Sequence, residues 1–171
     1  MRVTLDWFEM VMASDVGMRR EVNARVKKMK DSLYKDDTGS WGSHIESASA
    51  EMAVAKALGL YWDGSVNVGR RADLPRTFLE VRWNQNPARR SAKVKPHDEG
   101  IVIAVAGNSP DFVLLGWIRC VDAQRDEYKS TLSNGSSCFF APEKVLSKDF
   151  GELGRQLRNQ PCVAELAPQA D

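Results

Sequence analysis

Hydrophobic and polar positions follow two different rhythms along this chain, and the points where one gives way to the other mark its elements. In the N-terminal part Val22, Val26, Met29 and Leu33 recur at spacings of four, three and four, the mark of one apolar helix face, with Arg25, Lys27, Lys28 and Lys30 off it. This predicts an N-terminal helical arm over residues 1–36, separated by the turn formers of KDDTGSWGS from a core domain over residues 37–171. The first core helix is expected to start at Ser43, because Ser43 and Glu46 have the spacing of a capping box. It should stop at Gly59, a residue that takes the left-handed cap conformation without steric penalty.

A period of two then takes over. In TFLEVRW, Leu79, Val81 and Trp83 fall on one face of a strand while Glu80 and Arg82 fall on the other. Before it, LYWDGSVNV reads as a turn at Asp63 and Gly64 and a short strand. AKVK, GIVIAVAG and DFVLLGWIRC supply three more strands, the last two apolar enough to be central, with a turn at Asn108, Ser109 and Pro110 between them. DAQRDEYKSTLSNGSS predicts a short helix and a loop, CFFAP a strand, and Phe150, Leu153 and Leu157 a last helix. The fold class is α/β, a central mixed β-sheet flanked by helices, with the helical arm in front.

Composition narrows the setting. With 171 residues, 43% of them hydrophobic, the chain can bury a core without disulfides. Its three cysteines, Cys120, Cys138 and Cys162, match neither a disulfide framework nor zinc-ligand pairs and read as reduced thiols. No apolar run is long enough for a membrane span, and the N-terminus carries acids where a signal core would be apolar, so a cytoplasmic, membrane-free protein is expected. The net charge of +1 hides an uneven distribution. From Val68 to Pro96, Arg70, Arg71, Arg76, Arg82, Arg89, Arg90, Lys93 and Lys95 face only Asp73 and Glu80. That block suits the phosphate backbone of a nucleic acid, and the two acids inside it ask for an explanation.

A third acid does too. On the first core helix Glu51 has Ser47, Ala48, Val54 and Ala55 as surface neighbours, so a carboxylate sits in a small, apolar stripe that should face the sheet. Such a carboxylate is costly unless it is paired, bound to a cation, or at the border with its head in water. His44, expected at the helix start, and His97, in the turn KPHDEG, lack metal-ligand spacing. Trp62, Trp83 and Trp117 read as core fillers, while Trp41 in a polar loop could stack on a base.

The order of a helix bearing Glu51, then Asp73, then Glu80-x-Arg82 on a strand resembles the PD-(D/E)XK nuclease superfamily, over roughly residues 43–146. That resemblance implies a restriction-endonuclease-like fold in which Asp73 and Glu80 hold Mg²⁺ or Mn²⁺, with Glu51 completing the metal shell or orienting water. It implies hydrolysis of phosphodiester bonds in nucleic acid, DNA before RNA, with Glu51, Asp73, Glu80 and Arg82 as the catalytic set. Hard oxygen ligands suit Mg²⁺, and a bound metal activates water and neutralises phosphate charge. The family's lysine is replaced by Arg82, which cannot act as a base but can stabilise a transition state electrostatically. Lys93 or Lys95 on the neighbouring strand is the alternative source of that charge. HIESASAEMAVAKALGLYWDGSVN, GWIRCVDAQRDEYK and FFAPEKVL further resemble segments of small proteins encoded by phages and prophages, which implies a bacterial host cell. Two rival readings stand beside the nuclease: a nucleic-acid-binding protein with a retired site, and a phage protein that binds a host protein. A homodimer is a further partner to test.

Overall fold

Ile101 to Ala106 are buried without interruption, and a strand apolar on both sides has to be covered on both. That strand, β4 (Ile101–Asn108), organises the structure, a computed structural model that describes residues 1–27, 37–66, 72–75, 77–84, 86, 88–132 and 135–158. β5 (Asp111–Arg119) pairs antiparallel with β4, β2 (Leu79–Asn84) pairs parallel on its other side, and β1 (Arg2–Thr4) adds antiparallel to β5. The order β1-β5-β4-β2 leaves β2 at a sheet edge. β3 (Ser91–Val94), β6 (Lys129–Thr131) and β7 (Ser137–Pro142) form a separate antiparallel sheet in the order β3-β7-β6.

Each face of β4 has its own core. Ile101, Ile103 and Val105, with Leu79, Val81 and Leu114, pack under the long helix α2 (Asp37–Leu58) and the C-terminal helix α4 (Phe150–Arg158). Val102, Ala104 and Ala106 face Ala92, Val94, Phe139 and Ala141 of the small sheet, beside the one-turn helix α3 (Cys120–Ala123). The protein is therefore α/β with a mixed sheet flanked by helices, as the patterns imply. The opposite face is covered by strands that the sequence reading did not separate into a sheet of their own.

α1 (Trp7–Val26) is stitched into this frame at both ends: β1 leads into it, and it lies along α2. Ala13, Val16 and Ala48 make a small core between the two helices. At Gly17 a Cβ would stand 2.5 Å from the Ile45 Cα, so this approach admits no side chain at all. None of the described helices is long and apolar enough to cross a membrane.

Three local expectations change. α2 begins at Asp37, six residues before Ser43, so Ser43 and Glu46 lie inside the helix and form no capping box. Tertiary contacts outweigh the weak propensity of TGSWG: Arg25 lies over the Trp41 ring at 5.3 Å, and His44 Nε2 lies 3.3 Å from Glu21 Oε2. Trp41 is thus a helix residue capped by a cation, and His44 is half-buried within the helix. Glu46 does have a structural job: it accepts from Ser109 N at 2.8 Å and Ser109 Oγ at 3.1 Å, tying α2 to the β4–β5 turn. Residues 60–66 of LYWDGSVNV form no strand, though Asp63 Oδ1 accepts from Ser65 N at 3.0 Å in the turn expected there. Lastly, α1 buries Ala13, Val16, Gly17 and Glu21, while Val22 and Val26 are 50% and 76% exposed; Met29 and Leu33 lie outside the described residues.

Candidate active site

Strand parity explains half of the site. Because Leu79 and Val81 point into the core under α2, Glu80 and Arg82 project from the opposite face of β2, both half-buried. Arg82 donates through Nη1 to Glu80 Oε2 at 2.9 Å and through Nη2 to Asp98 Oδ2 at 2.8 Å. The same Asp98 oxygen accepts from Lys95 N at 2.9 Å, which closes the β3–β4 turn. Gln124 pins that turn from α3 by donating to the carbonyls of Lys95 and Asp98.

Asp73 reaches the site from the chain that folds back along β2. Its own N–H donates to Leu79 O at 3.2 Å and its Oδ2 accepts from Val81 N at 2.7 Å, so it satisfies two backbone groups on the free edge of the strand. From there Oδ2 lies 3.9 Å from Arg82 Nη1. Three carboxylates, Asp73, Glu80 and Asp98, therefore surround one guanidinium.

Glu51 stands on the other side of that edge, in the helical layer. It is 5% exposed, and Arg20 of α1 holds both of its oxygens, Nη1 to Oε1 at 2.6 Å and Nη2 to Oε2 at 2.7 Å. Trp62 Nε1 adds a longer bond to Oε2 at 3.4 Å, and Arg20 also donates to Ser65 O. The cost expected of a carboxylate in the apolar stripe is thus met by pairing. Asp73 lies between the two groups and interacts electrostatically with Glu51 and Arg20 on one side and with Glu80 and Arg82 on the other.

Burial sets the protonation behaviour. It pushes the carboxyls of Glu51, Asp73 and Glu80 above their ordinary range, and the bonds from Arg20, Val81 N–H and Arg82 offset the push only in part. At Asp98 burial acts the same way, but the Lys95 N–H and Arg82 outweigh it and the carboxyl ends below its ordinary range. Arg82, although buried, is held above the usual guanidinium value by Asp98, Glu80 and Asp73, so it stays charged. Beneath the site, burial and the charge of Asp98 push the Cys120 thiol up to about 11, which keeps it protonated.

The structure thus brings Asp73, Glu80 and Arg82 together and sets Glu51 beside Asp73 but bonded to Arg20. Asp73 Oδ1 and Glu80 Oε1 receive no hydrogen bond from the described residues. Arg82 Nε is buried and finds no acceptor among the described residues. Among the described residues no group of three or more His, Cys, Asp or Glu side chains is placed to hold a metal ion by itself. A hydrated Mg²⁺ asks for less, since it is commonly held by one or two carboxylates and keeps its waters. Asp73 and Glu80 are the two acids here that keep an oxygen no described donor fills.

Of the basic block, Arg70, Arg71 and Arg76 lie outside the described residues. Arg89 and Lys95 are exposed and Lys93 is half-exposed on β3. Arg90 is tied to Glu143, which also takes Lys148 Nζ at 2.7 Å. Two site residues were missed in the sequence. Asp98 had only its place in a turn to announce it, whereas Arg20 was implied by Glu51, which demanded a cation without saying which one. Comparison with protein-family models, with curated proteins and with solved structures found no match to the chain.

Proposed function

We propose that the protein is a metal-dependent nuclease that hydrolyses phosphodiester bonds, in DNA before RNA, with Mg²⁺ or Mn²⁺. The observation that carries this reading is the imbalance around Arg82: three acids share one guanidinium, and Asp73 and Glu80 each keep an oxygen that no described donor fills. A divalent cation held there supplies water activation and neutralises charge on the phosphate. Asp73 and Glu80 are the residues that would hold it. Glu51, bound to Arg20 through both oxygens, keeps that guanidinium in place beside Asp73. Arg82, permanently charged, serves the phosphate oxygens electrostatically. Arg89, Lys93 and Lys95, with Arg70, Arg71, Arg76 and Arg90 of the same block, would take the nucleic-acid backbone.

One observation favours a second reading. Both Arg82 Nη atoms are already bonded to acids, at the position where the nuclease superfamily that the chain resembles has lysine. A site locked in this way belongs to a protein that binds nucleic acid without cutting it. The deciding experiment incubates the full chain with mixed single- and double-stranded DNA and RNA, with Mn²⁺, Mg²⁺ or EDTA, beside Asp73→Asn and Glu80→Gln. Cleavage that needs metal and is lost in both variants supports the nuclease. Salt-dependent binding with no cleavage supports the second reading, and neither binding nor cleavage overturns both.

A further inference from the structure

α1 carries more apolar surface than its place in the fold uses. Its inner side is already occupied by α2, through Ala13, Val16 and the close approach at Gly17. Its outer side nevertheless shows Trp7 at 74% exposure, together with Phe8, Val11, Met12, Met18, Val22 and Val26, all exposed. These are seven of the twelve large exposed hydrophobic residues among those described, gathered on one helix. Scattered exposed apolar side chains are ordinary, but seven on one helix, interrupted at its middle by the Asp15–Arg19 pair, mark a contact surface.

The stripe is self-complementary. Trp7, Val11, Asp15, Met18, Val22 and Val26 follow one another at spacings of four, four, three, four and four, a sequence that reads the same in both directions. A second α1 laid antiparallel across a two-fold axis therefore sets Trp7 against Val26 of the other copy, Val11 against Val22, and Asp15 against Met18. The charges obey the same symmetry. The only charged side chains in the middle of the outer face are Asp15 and Arg19, paired within the helix at 2.8 Å and both solvent-exposed. Under the two-fold, Asp15 of each copy meets Arg19 of the other, so the centre becomes four alternating charges. A shallow, open hollow lined by Met18, Arg19, Val22, Asn23 and Val26 lies in the half of the helix that Trp7 of the second copy would face. Trp7 is the most prominent projection on the helix and is braced edge-on against Phe8, with ring centroids 6.1 Å apart.

We infer that the outer face of α1 is an isologous interface with a second copy of this chain, the two helices antiparallel. The inference does not rest on the nuclease reading.

The test is sedimentation of the full chain at rising concentration, up to roughly 100 μM, beyond the weak end of the range that interfaces of standard size span. The parent should show twice the monomer mass, and Val22→Glu should remain monomeric with unchanged circular dichroism. Asp15→Arg alone and Arg19→Asp alone should each weaken association at least about tenfold, since like charges then meet at the axis. An equimolar mixture of those two variants should recover the dimer, because one copy then offers two cations and the other two anions. All three positions point to solvent, and the mixture reports on association whatever a single variant does to stability. A parent that stays monomeric overturns the inference, as does a dimer indifferent to Val22→Glu or a mixture that fails to recover. A monomeric parent that co-sediments with anionic lipid vesicles through Trp7 would assign the stripe to a lipid surface and overturn it too.

Discussion

Arg20 and Arg82 are both largely buried guanidiniums held by acids, but they are arranged in opposite ways. Arg20 meets one carboxylate through two short parallel bonds, and the pair is balanced in charge and in geometry. Arg82 is divided among Glu80, Asp98 and Asp73, with the last at 3.9 Å, and even with the charge of Lys95, which also reaches Asp73 and Asp98, the acids here outnumber the cations. The balanced pair is what a helix–helix seam needs. On the proposed reading, that excess of acid is where a cation would bring the missing positive charge. The contrast would then separate a fastening from a receptor, although both consist of the same two functional groups.

The largest expected effect breaks the fastening. Arg20→Ala leaves Glu51 buried and unpaired, a loss of roughly 3–5 kcal/mol, whereas Arg20→Met with Glu51→Leu should recover most of it. Urea unfolding of the parent and the two variants measures this, and a cost below about 1 kcal/mol for Arg20→Ala would show that the seam does not depend on the pair. The next effect breaks the receptor. Arg82→Ala should lower metal-dependent cleavage about 10²–10³-fold with metal affinity nearly unchanged, and Arg82→Lys should restore much of it. If Arg82→Ala cleaves as well as the parent, the charge comes from Lys93, Lys95 or elsewhere.

A third comparison uses pH. Since burial raises the folded-state pKa of Glu51, Asp73 and Glu80, the folded chain binds protons more tightly than the unfolded one. Their contribution therefore favours the fold below the ordinary carboxylate range and is lost as pH rises through their raised values. A divalent cation needs the ionised forms, so the melting-temperature gain from Mn²⁺ should be larger near about pH 8 than near about pH 5 and absent in Glu80→Gln. An equal gain at both would place Mn²⁺ away from these acids. The smallest effect lies at the surface. Glu143 is pushed down to about 2 by Arg90 and Lys148, yet the group is open to water and screened, so Glu143→Gln should cost only about 0–1 kcal/mol by the same unfolding measurement.

The two arginine sites were not equally visible in the sequence. Glu80 and Arg82 share a face because a strand alternates, and that follows from five letters of sequence. Glu51 could be singled out because a carboxylate among Ala48, Val54 and Ala55 has to be explained. Its partner could not be named, since Arg20 is brought to it by the packing of two helices joined through residues that carry no pairing signal. Asp98 was hidden for a similar reason: its importance comes from a turn that β3 and β4 hold open, which no local pattern encodes. The start of α2 was misread because local capping chemistry at Ser43 looked sufficient, while the deciding contacts, Glu21 to His44 and Arg25 to Trp41, span two helices.

The position of β2 at a sheet edge has a consequence for any study of this site. An uncovered edge offers unpaired backbone groups to other chains and invites strand addition and aggregation. Here Asp73 shields part of that edge by accepting the Val81 N–H. Replacing it with alanine would remove a candidate metal ligand and expose a sticky strand in one stroke, and a precipitated variant would look like an inactive one. Asparagine keeps an acceptor oxygen for Val81 while discarding the charge, so solubility and chemistry can be read separately at this residue.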